Sequence, residues 1–394
     1  MKKILFIPTY TYLSSPIFSN LLEKLNEYEN IYLDVEEQFD SEKTSREFKD
    51  KFTQVIKIES IGDKKSFFSK IINIFEIIKF KNELICFLKK EKPSIIITTS
   101  DLSLSVRVIK KYLPYTPIVV IQSAMISNIG LNRTFKHYLK YIIFNKVLSL
   151  PIIRKQNYFG HEYNNNILLL WGDYFKKLVD NNNTIKSIGD ITFDNFPIKK
   201  SLELKKELLL KYNFKEETKI ITICTSAFSG IIDSNVEKKL YDIYKNIIII
   251  KKELFFIIKP HPRNNGKELE DIFTPLKADN FIILNNHLHT LFQYTDIHIS
   301  SFSRTALEAL ASNIPILSIN PDNEIKLEDF FNNEIDEKVR SIDEMIIKID
   351  ALLDSTDKFF DLRDIYIDKM LYRLDGGATQ RAVDIIKEEI EKNG

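Results

Sequence analysis

The chain has 394 residues, enough for two or three domains, and 44% of them are hydrophobic, which separates it from disordered sequences. A formal net charge of +1 supplies no global attraction to nucleic acid, and no nucleic-acid partner is expected. Cys86 and Cys224 stand in apolar contexts and read as buried free thiols of a cytosolic protein, and no uninterrupted apolar stretch is long enough to span a bilayer.

Met1-Lys2-Lys3 leads at once into residues 4–8, a first strand, so no signal peptide is expected. Residues 9–16 read as a loop of hydroxyls and tyrosines, and 17–28 as a helix with Leu21, Leu22 and Leu25 inward. Strands follow at 31–35 and 55–58. Residues 64–92 form a long basic amphipathic helix, with Phe67, Ile71, Ile74, Ile78 and Ile85 at helical spacing, ended by Pro93. A strand at 94–99 runs into Ser100-Asp101, then come a helix at 102–112 and a buried strand at 117–122. Residues 134–148 mix Lys136, Lys140 and Lys146 with Phe135, Tyr138, Tyr141 and Phe144. Strands at 167–170 and 185–188, with a helix opening at 171–174, lead to a linker near 191–200.

The second half repeats the alternation. Helices are expected at 202–212, 235–245, 266–273 and 342–353, with a helical turn at 289–294. Strands are expected at 219–224, 254–258, 281–284, 297–300 and 315–319. Ser341 and Glu344 form a capping box, and Asp375-Gly376-Gly377-Ala378-Thr379 introduces a final helix at 380–392. Alternation of this kind predicts doubly wound parallel sheets in two α/β halves, with a cleft between them.

Two stretches concentrate chemistry. Lys259-Pro260-His261-Pro262-Arg263 ends an apolar strand, and its prolines fix the loop. Ser300 to Glu308 follows another strand and opens a helix. Ligands of open α/β sheets bind at carboxyl strand ends, and hydroxyls at a helix start suit a phosphate. His261 is the expected donor to that phosphate, with Ser300, Ser301 and Ser303 hydrogen-bonding it and Arg304 adding charge. Glu308 would accept from ribose hydroxyls, while Thr225, Ser226, Lys259, Pro262 and Arg263 would line the site. Each has a structural alternative: a loop histidine, helix-capping serines, a solvated helix face for Glu308 and solvated cations for Lys259 and Arg263. His287, His289 and His298 lack an acid or cysteine at ligand spacing, so no metal is expected. A general base would come from Asp101, from Asp233, or from His161 or Glu162; Asp101 could equally cap the helix that follows it. The basic aromatic segments 64–92 and 134–155 could rest on an anionic membrane, or be ordinary helices with lysine outer faces.

His261-Pro262 after a strand, the Ser300-Ser301 pair two strands later, and T-x-x-E-A-L-x-x-x-x-P-I-L over residues 305–317 carry a family likeness. So do the tail Asp375-Gly376-Gly377-Ala378-Thr379-Gln380-Arg381 and the G-x-x-x-F-D of Gly189 to Asp194. Together they resemble the bacterial GT-B glycosyltransferases of capsule and lipooligosaccharide synthesis. These include CMP-sialic acid-dependent sialyltransferases, Kdo transferases and CDP-glycerol glycerophosphotransferases. The resemblance implies a GT-B fold, α/β, with two Rossmann-like parallel-sheet domains facing a cleft. It implies an acceptor-side domain over 1–195, a nucleotide-sugar-binding domain over 196–375, and a helix over 376–394 that crosses back to the first. The implied activity moves a sugar or sugar-like group from a CMP- or CDP-linked donor, or next a UDP-linked one, to a surface glycan or lipid-linked acceptor. The nucleotide sugar would be the co-substrate, with no further cofactor, in the cytoplasm or at the inner face of the cytoplasmic membrane. Two other classes remain. A non-hydrolysing UDP-N-acetylglucosamine 2-epimerase needs Glu-Glu where this chain has Leu307-Glu308. A catalytically silent binding protein of glycan assembly would bind without turnover.

Overall fold

Short runs rich in isoleucine, valine and phenylalanine alternate with helices and build two parallel sheets. The computed structural model describes residues 1–9, 11–35, 46–58, 67–126, 135–154, 159–160, 166–225, 233–261, 266–301, 303–321 and 338–392. Two units result, residues 1–194 with 368–394, and residues 195–367.

The first unit contains β1 (Lys3–Ile7), α1 (Thr11–Lys24), β2 (Glu29–Val35), α2 (Arg46–Lys49), β3 (Gln54–Ile58) and α3 (Phe67–Glu91). It continues with β4 (Ile95–Thr98), α4 (Leu104–Tyr112), β5 (Ile118–Ile121), α5 (Phe135–Tyr141), a π-helical turn (Ile142–Val147), β6 (Ile167–Leu170) and β7 (Thr184–Ser187). Its seven strands lie in the order β3-β2-β1-β4-β5-β6-β7, and every pairing is parallel. The central strands are buried on both faces, as the continuous apolar runs require.

The second unit contains α6 (Leu202–Lys211), β8 (Ile220–Cys224), α7 (Ser234–Ile250), β9 (Phe255–Lys259), α8 (Gly266–Phe273), β10 (Phe281–Ile283) and α9 (Leu288–Phe292). Then come β11 (Ile297–Ser300), α10 (Thr305–Ala311), β12 (Ile316–Ser318), α11 (Ile342–Asp354) and most of α12 (Asp357–Leu371), whose residues 368–371 belong to the first unit. Its sheet runs β10-β9-β8-β11-β12, again all parallel. In each sheet the strand order reverses next to the first strand, between β1 and β4 and between β8 and β11. Such a reversal leaves a crevice at the carboxyl ends of the two strands.

The last helix, α13 (Ala378–Lys392), belongs to the first unit. Its Ala378, Ala382, Val383, Ile386 and Ile390 join the core of Ile4, Phe6, Phe18, Leu21 and Ile97. Asp194 holds its start: the carboxylate accepts the Ala378 N–H at 2.8 Å and the Thr379 N–H at 2.9 Å. Arg381 returns the clasp, donating Nε to the Ile188 carbonyl at 2.7 Å and Nη1 to both Asp375 oxygens at 2.9 Å. Gly189 lies at φ +88°, and a Cβ there would fall 3.1 Å from the Ala378 Cβ and 3.2 Å from the Leu371 carbonyl. The two glycine-aspartate motifs of the sequence therefore meet in one joint.

Several local expectations are corrected. The first helix begins at Thr11, not after Pro16, and contains Pro16. The proline lacks a single N–H, and the turn before it is held by Ser14, whose buried hydroxyl bonds Thr99 at 2.8 Å. The core face of α3 is Ile77, Phe80, Leu84 and Leu88, leaving Ile78 and Ile85 half-buried; a helix apolar on most sides does not declare its register. Cys86, on the same helix, is exposed, whereas Cys224 is buried. The capping box opens slightly: Ser341 accepts the Glu344 N–H, but the Glu344 carboxylate takes the N–H of Arg340.

Candidate functional site

In the second unit, parallel register sets Lys259, Cys224 and Ser300 side by side at the carboxyl ends of β9, β8 and β11. Thr225 continues β8 and ties the first two ends together. Its N–H donates to the Lys259 carbonyl at 3.0 Å, and its hydroxyl oxygen accepts the His261 N–H at 3.1 Å. That bond, with the proline that precedes it, fixes where the half-buried His261 leaves the sheet.

The other side of the crevice is the β11–α10 turn. Ser301 is fully buried and donates to the Ile319 carbonyl at 2.9 Å, so it braces β12. Ser300 is also sealed in, and its Oγ has no hydrogen-bond partner among the described residues. Ser303 alone of the three serines is partly exposed. It caps α10, its Oγ accepting the Thr305 N–H at 3.2 Å and the Thr305 hydroxyl at 3.0 Å. His298 Nε2 lies 3.0 Å from the same Thr305 Oγ1.

Proton accounting orders this chain. When the Thr305 hydroxyl donates to Ser303 rather than to the Cys224 sulfur beside it, the imidazole donates from Nε2 and Nδ1 carries no hydrogen. Nδ1 has no hydrogen-bond partner among the described residues, and the Phe292 ring packs edge-on at 5.4 Å. Burial pushes His298 down to about 3, so the ring stays neutral. Ser303 Oγ accepts twice, and its own hydrogen is directed away from Thr305, where it can donate. A hydroxyl polarised in this way is a stronger donor to an anion.

Arg304 and Glu308 form an ion pair at 3.7 Å one helical turn apart, each largely buried. Glu308 also acts on Cys224, whose thiol burial pushes up to about 12 while the Lys259 ammonium pulls the other way. A thiol in that state is inert. The second unit thus brings together Thr225, Lys259, His261, Ser300, Ser301, Ser303, Arg304 and Glu308. Asp233 is an exposed carboxylate that caps α7, accepting the Asn235 N–H at 2.8 Å, at the end of the connection that leaves β8.

Asp101 lies in the first unit and is fully buried, with both oxygens 3.1 Å from the Gly160 N–H. Ser103, not Asp101, caps α4 by accepting the Val106 N–H. Ser226, Pro262, Arg263, His161, Glu162 and Tyr10 lie outside the described residues. Among the described residues no three His, Cys, Asp or Glu side chains gather to hold a metal ion, and no helix is long and apolar enough to cross a membrane. Sequence reading passed over Thr305 and set His298 aside after weighing it only as a metal ligand. The signal available was a polar residue inside an apolar strand, seven residues before a threonine at a helix start.

No family model matches the chain, and no curated protein matches it. Solved structures do. A glycosyltransferase from Rickettsia africae aligns over 100% of this chain and 99% of its own, at 16% identity and a TM-score of 0.61. The wall teichoic acid polymerase TagF, in crystals soaked with CDPG, aligns over 99% and 90% at 12% identity and a TM-score of 0.56. MnaA of S. aureus, in complex with UDP, aligns over 99% and 97% at 14% identity and a TM-score of 0.58. The chain, two α/β units each on an all-parallel sheet, has the GT-B fold of glycosyltransferases.

Proposed function

We propose that the chain is a glycosyltransferase that moves a sugar or sugar-like group from a nucleotide donor to a bacterial surface glycan or its lipid-linked precursor. A cytidine nucleotide, CMP or CDP, is the first choice of donor and UDP the next. The observation that carries this is the crevice at the β8/β11 reversal, where Ser303, Thr225, Lys259 and His261 converge on one sheet edge. The GT-B fold and the neighbours' UDP and CDPG support the same class of ligand.

In this reaction an acceptor hydroxyl attacks the sugar carbon, and the bond from that carbon to the phosphate oxygen breaks with its electron pair. Charge therefore builds on the departing nucleotide. The Ser303 hydroxyl, His261 and the Lys259 ammonium lower the barrier by stabilising it, and Arg304 adds positive field beside Glu308. The proton leaves with a base. Asp233 is exposed and in the same unit, so we assign it that role; Asp101 is sealed around the Gly160 amide and is assigned to structure. Leu307, where the epimerase pattern needs a carboxylate, is fully buried in the core, which disfavours that class.

Calorimetry with CMP, CDP, UDP and GDP on the wild type and on His261→Ala tests the proposal. Selective binding of one nucleotide, weakened in the variant, is expected. Absence of binding by all four would remove the transferase and leave a glycan-binding role.

A further inference from the structure

A cavity lies in the first unit under the amino-terminal ends of β5, β6 and β7, whose first residues Ile118, Ile167 and Thr184 all line it. Ligand crevices of open α/β sheets form at the opposite, carboxyl ends, so the strand-order reversal does not account for it. Its volume is about 400 Å³, within the range of small-ligand sites. The last turn of α4 contributes Lys110 to the lining, and the last turn of α13 contributes Glu389.

Lys110 is 8% accessible, and burial pulls its ammonium down to about 8. An ammonium costs free energy to bury, and a lysine so placed on a cavity wall marks a binding site. The wall before β7 is held by side chains. Asn183 accepts the Asn166 N–H at 3.0 Å and donates to the carbonyls of Gly160 and Asp180 at 2.9 and 3.1 Å. Asn182 is oriented by Asp180, whose Oδ1 accepts its backbone N–H at 2.9 Å and its Nδ2 at 2.8 Å. Glu389 pairs with Lys392 at 2.9 Å, so its charge is offset and the Lys110 cation dominates the lining.

The chemistry of the lining selects the ligand. A lysine only donates and carries charge, so it calls for an anionic acceptor. Asn182, Thr116 and Thr184 both donate and accept, as sugar hydroxyls do. Tyr115 and Pro117 offer apolar ring faces to the C–H side of a pyranose. One cation matches one carboxylate. We propose that this cavity binds a sugar acid, a monosaccharide with a single carboxylate, the carboxylate on Lys110 and the hydroxyls on Asn182, Thr116 and Thr184. The proposal does not rest on the transferase reading, because binding here is read without nucleotide, acceptor or turnover; failure of either leaves the other standing.

Ligand-observed NMR titration of the full chain with glucuronate, galacturonate, glucose and acetate tests it. At least one of the two sugar acids should bind, with glucose and acetate about tenfold weaker or worse. Lys110→Met should lower the affinity about tenfold, and Tyr115→Ala, at a side chain 96% exposed, severalfold. Methionine replaces a buried charge with an apolar chain, and the tyrosine is exposed, so thermal unfolding no lower than wild type is the control for folding. Affinity should fall as pH rises above 8, where binding must first return a proton to Lys110. Glu389 and Tyr115 are the other titratable groups on the lining, and Lys110→Met, which should abolish the slope, separates them from the lysine. His261→Ala should leave the affinity unchanged; its loss there would move the sugar acid to the second unit and overturn the assignment. Absence of binding by both sugar acids, equal binding of acetate, or unaltered affinity in Lys110→Met also overturns it.

Discussion

The Asp194 carboxylate accepts the backbone N–H of Ala378 at 2.8 Å, joining residues 184 apart in sequence. Its second oxygen takes the Thr379 N–H, so one side chain satisfies two of the orphan donors that begin α13. A carboxylate there also opposes the helix dipole. Asp194→Ala should cost about 1–2 kcal/mol and Asp194→Asn less, read by urea denaturation. Equal stability of all three proteins would show that the cap is dispensable.

Gly172 admits no side chain. A Cβ there would fall 2.5 Å from the Lys369 carbonyl oxygen and 2.5 Å from the Met370 carbonyl carbon, both backbone atoms. Relief requires the backbone of residues 369–370 to withdraw from Gly172, so Gly172→Ala should destabilise the first unit by about 3 kcal/mol or more. Increased proteolysis near residues 368–371 is the accompanying sign; a melting temperature equal to wild type would contradict the close approach.

His298 makes stability depend on pH with a definite sign. Its folded value is pushed down to about 3, against an ordinary value of 6.5. Between these values the unfolded chain binds a proton that the folded chain refuses, so stability falls as pH drops below 6.5. Each pH unit well inside that window removes about 1.4 kcal/mol at this one site. His298→Gln should flatten this part of the profile measured by chemical denaturation between pH 7 and 4.5, whatever its effect at neutral pH.

The Ser303–Thr305 pair separates binding from folding. Ser303→Ala removes the outward hydroxyl and should weaken nucleotide binding about tenfold, the scale of one hydrogen bond to a charged group. Thr305→Val breaks the link from His298 to Ser303, whereas Thr305→Ser keeps it. Restored affinity in Thr305→Ser but not Thr305→Val would tie the effect to the hydroxyl; equal affinities would dismiss the relay.

The strands and most helices were legible because their apolar runs are long and their breaks carry proline, glycine or serine. His261 and Ser303 were legible as candidates for the same reason: they stand where an apolar strand stops. What a residue bonds was less so. Asp101 looks like a cap two residues before the real one, Ser103, but its carboxylate serves Gly160, 59 residues away, and no local pattern announces that partner. The serine run was read as one unit, yet Ser300 and Ser301 turn into the sheet and only Ser303 is partly exposed, a split fixed by where β11 ends. In α3 the surplus of isoleucines hid which face was inward. His298 looked like any strand residue because its importance lies in the threonine it meets across a turn.

The return of residues 368–394 to the first unit sets an order of assembly. On the ribosome, every residue of the seven-stranded sheet emerges before the five-stranded one, yet its core lacks Ala382, Val383, Ile386 and Ile390 until α13 itself emerges. The second unit has all its own residues by Ile367. The half begun first is therefore finished last, and a lesion that removes α13 strikes the sheet that begins at Lys3.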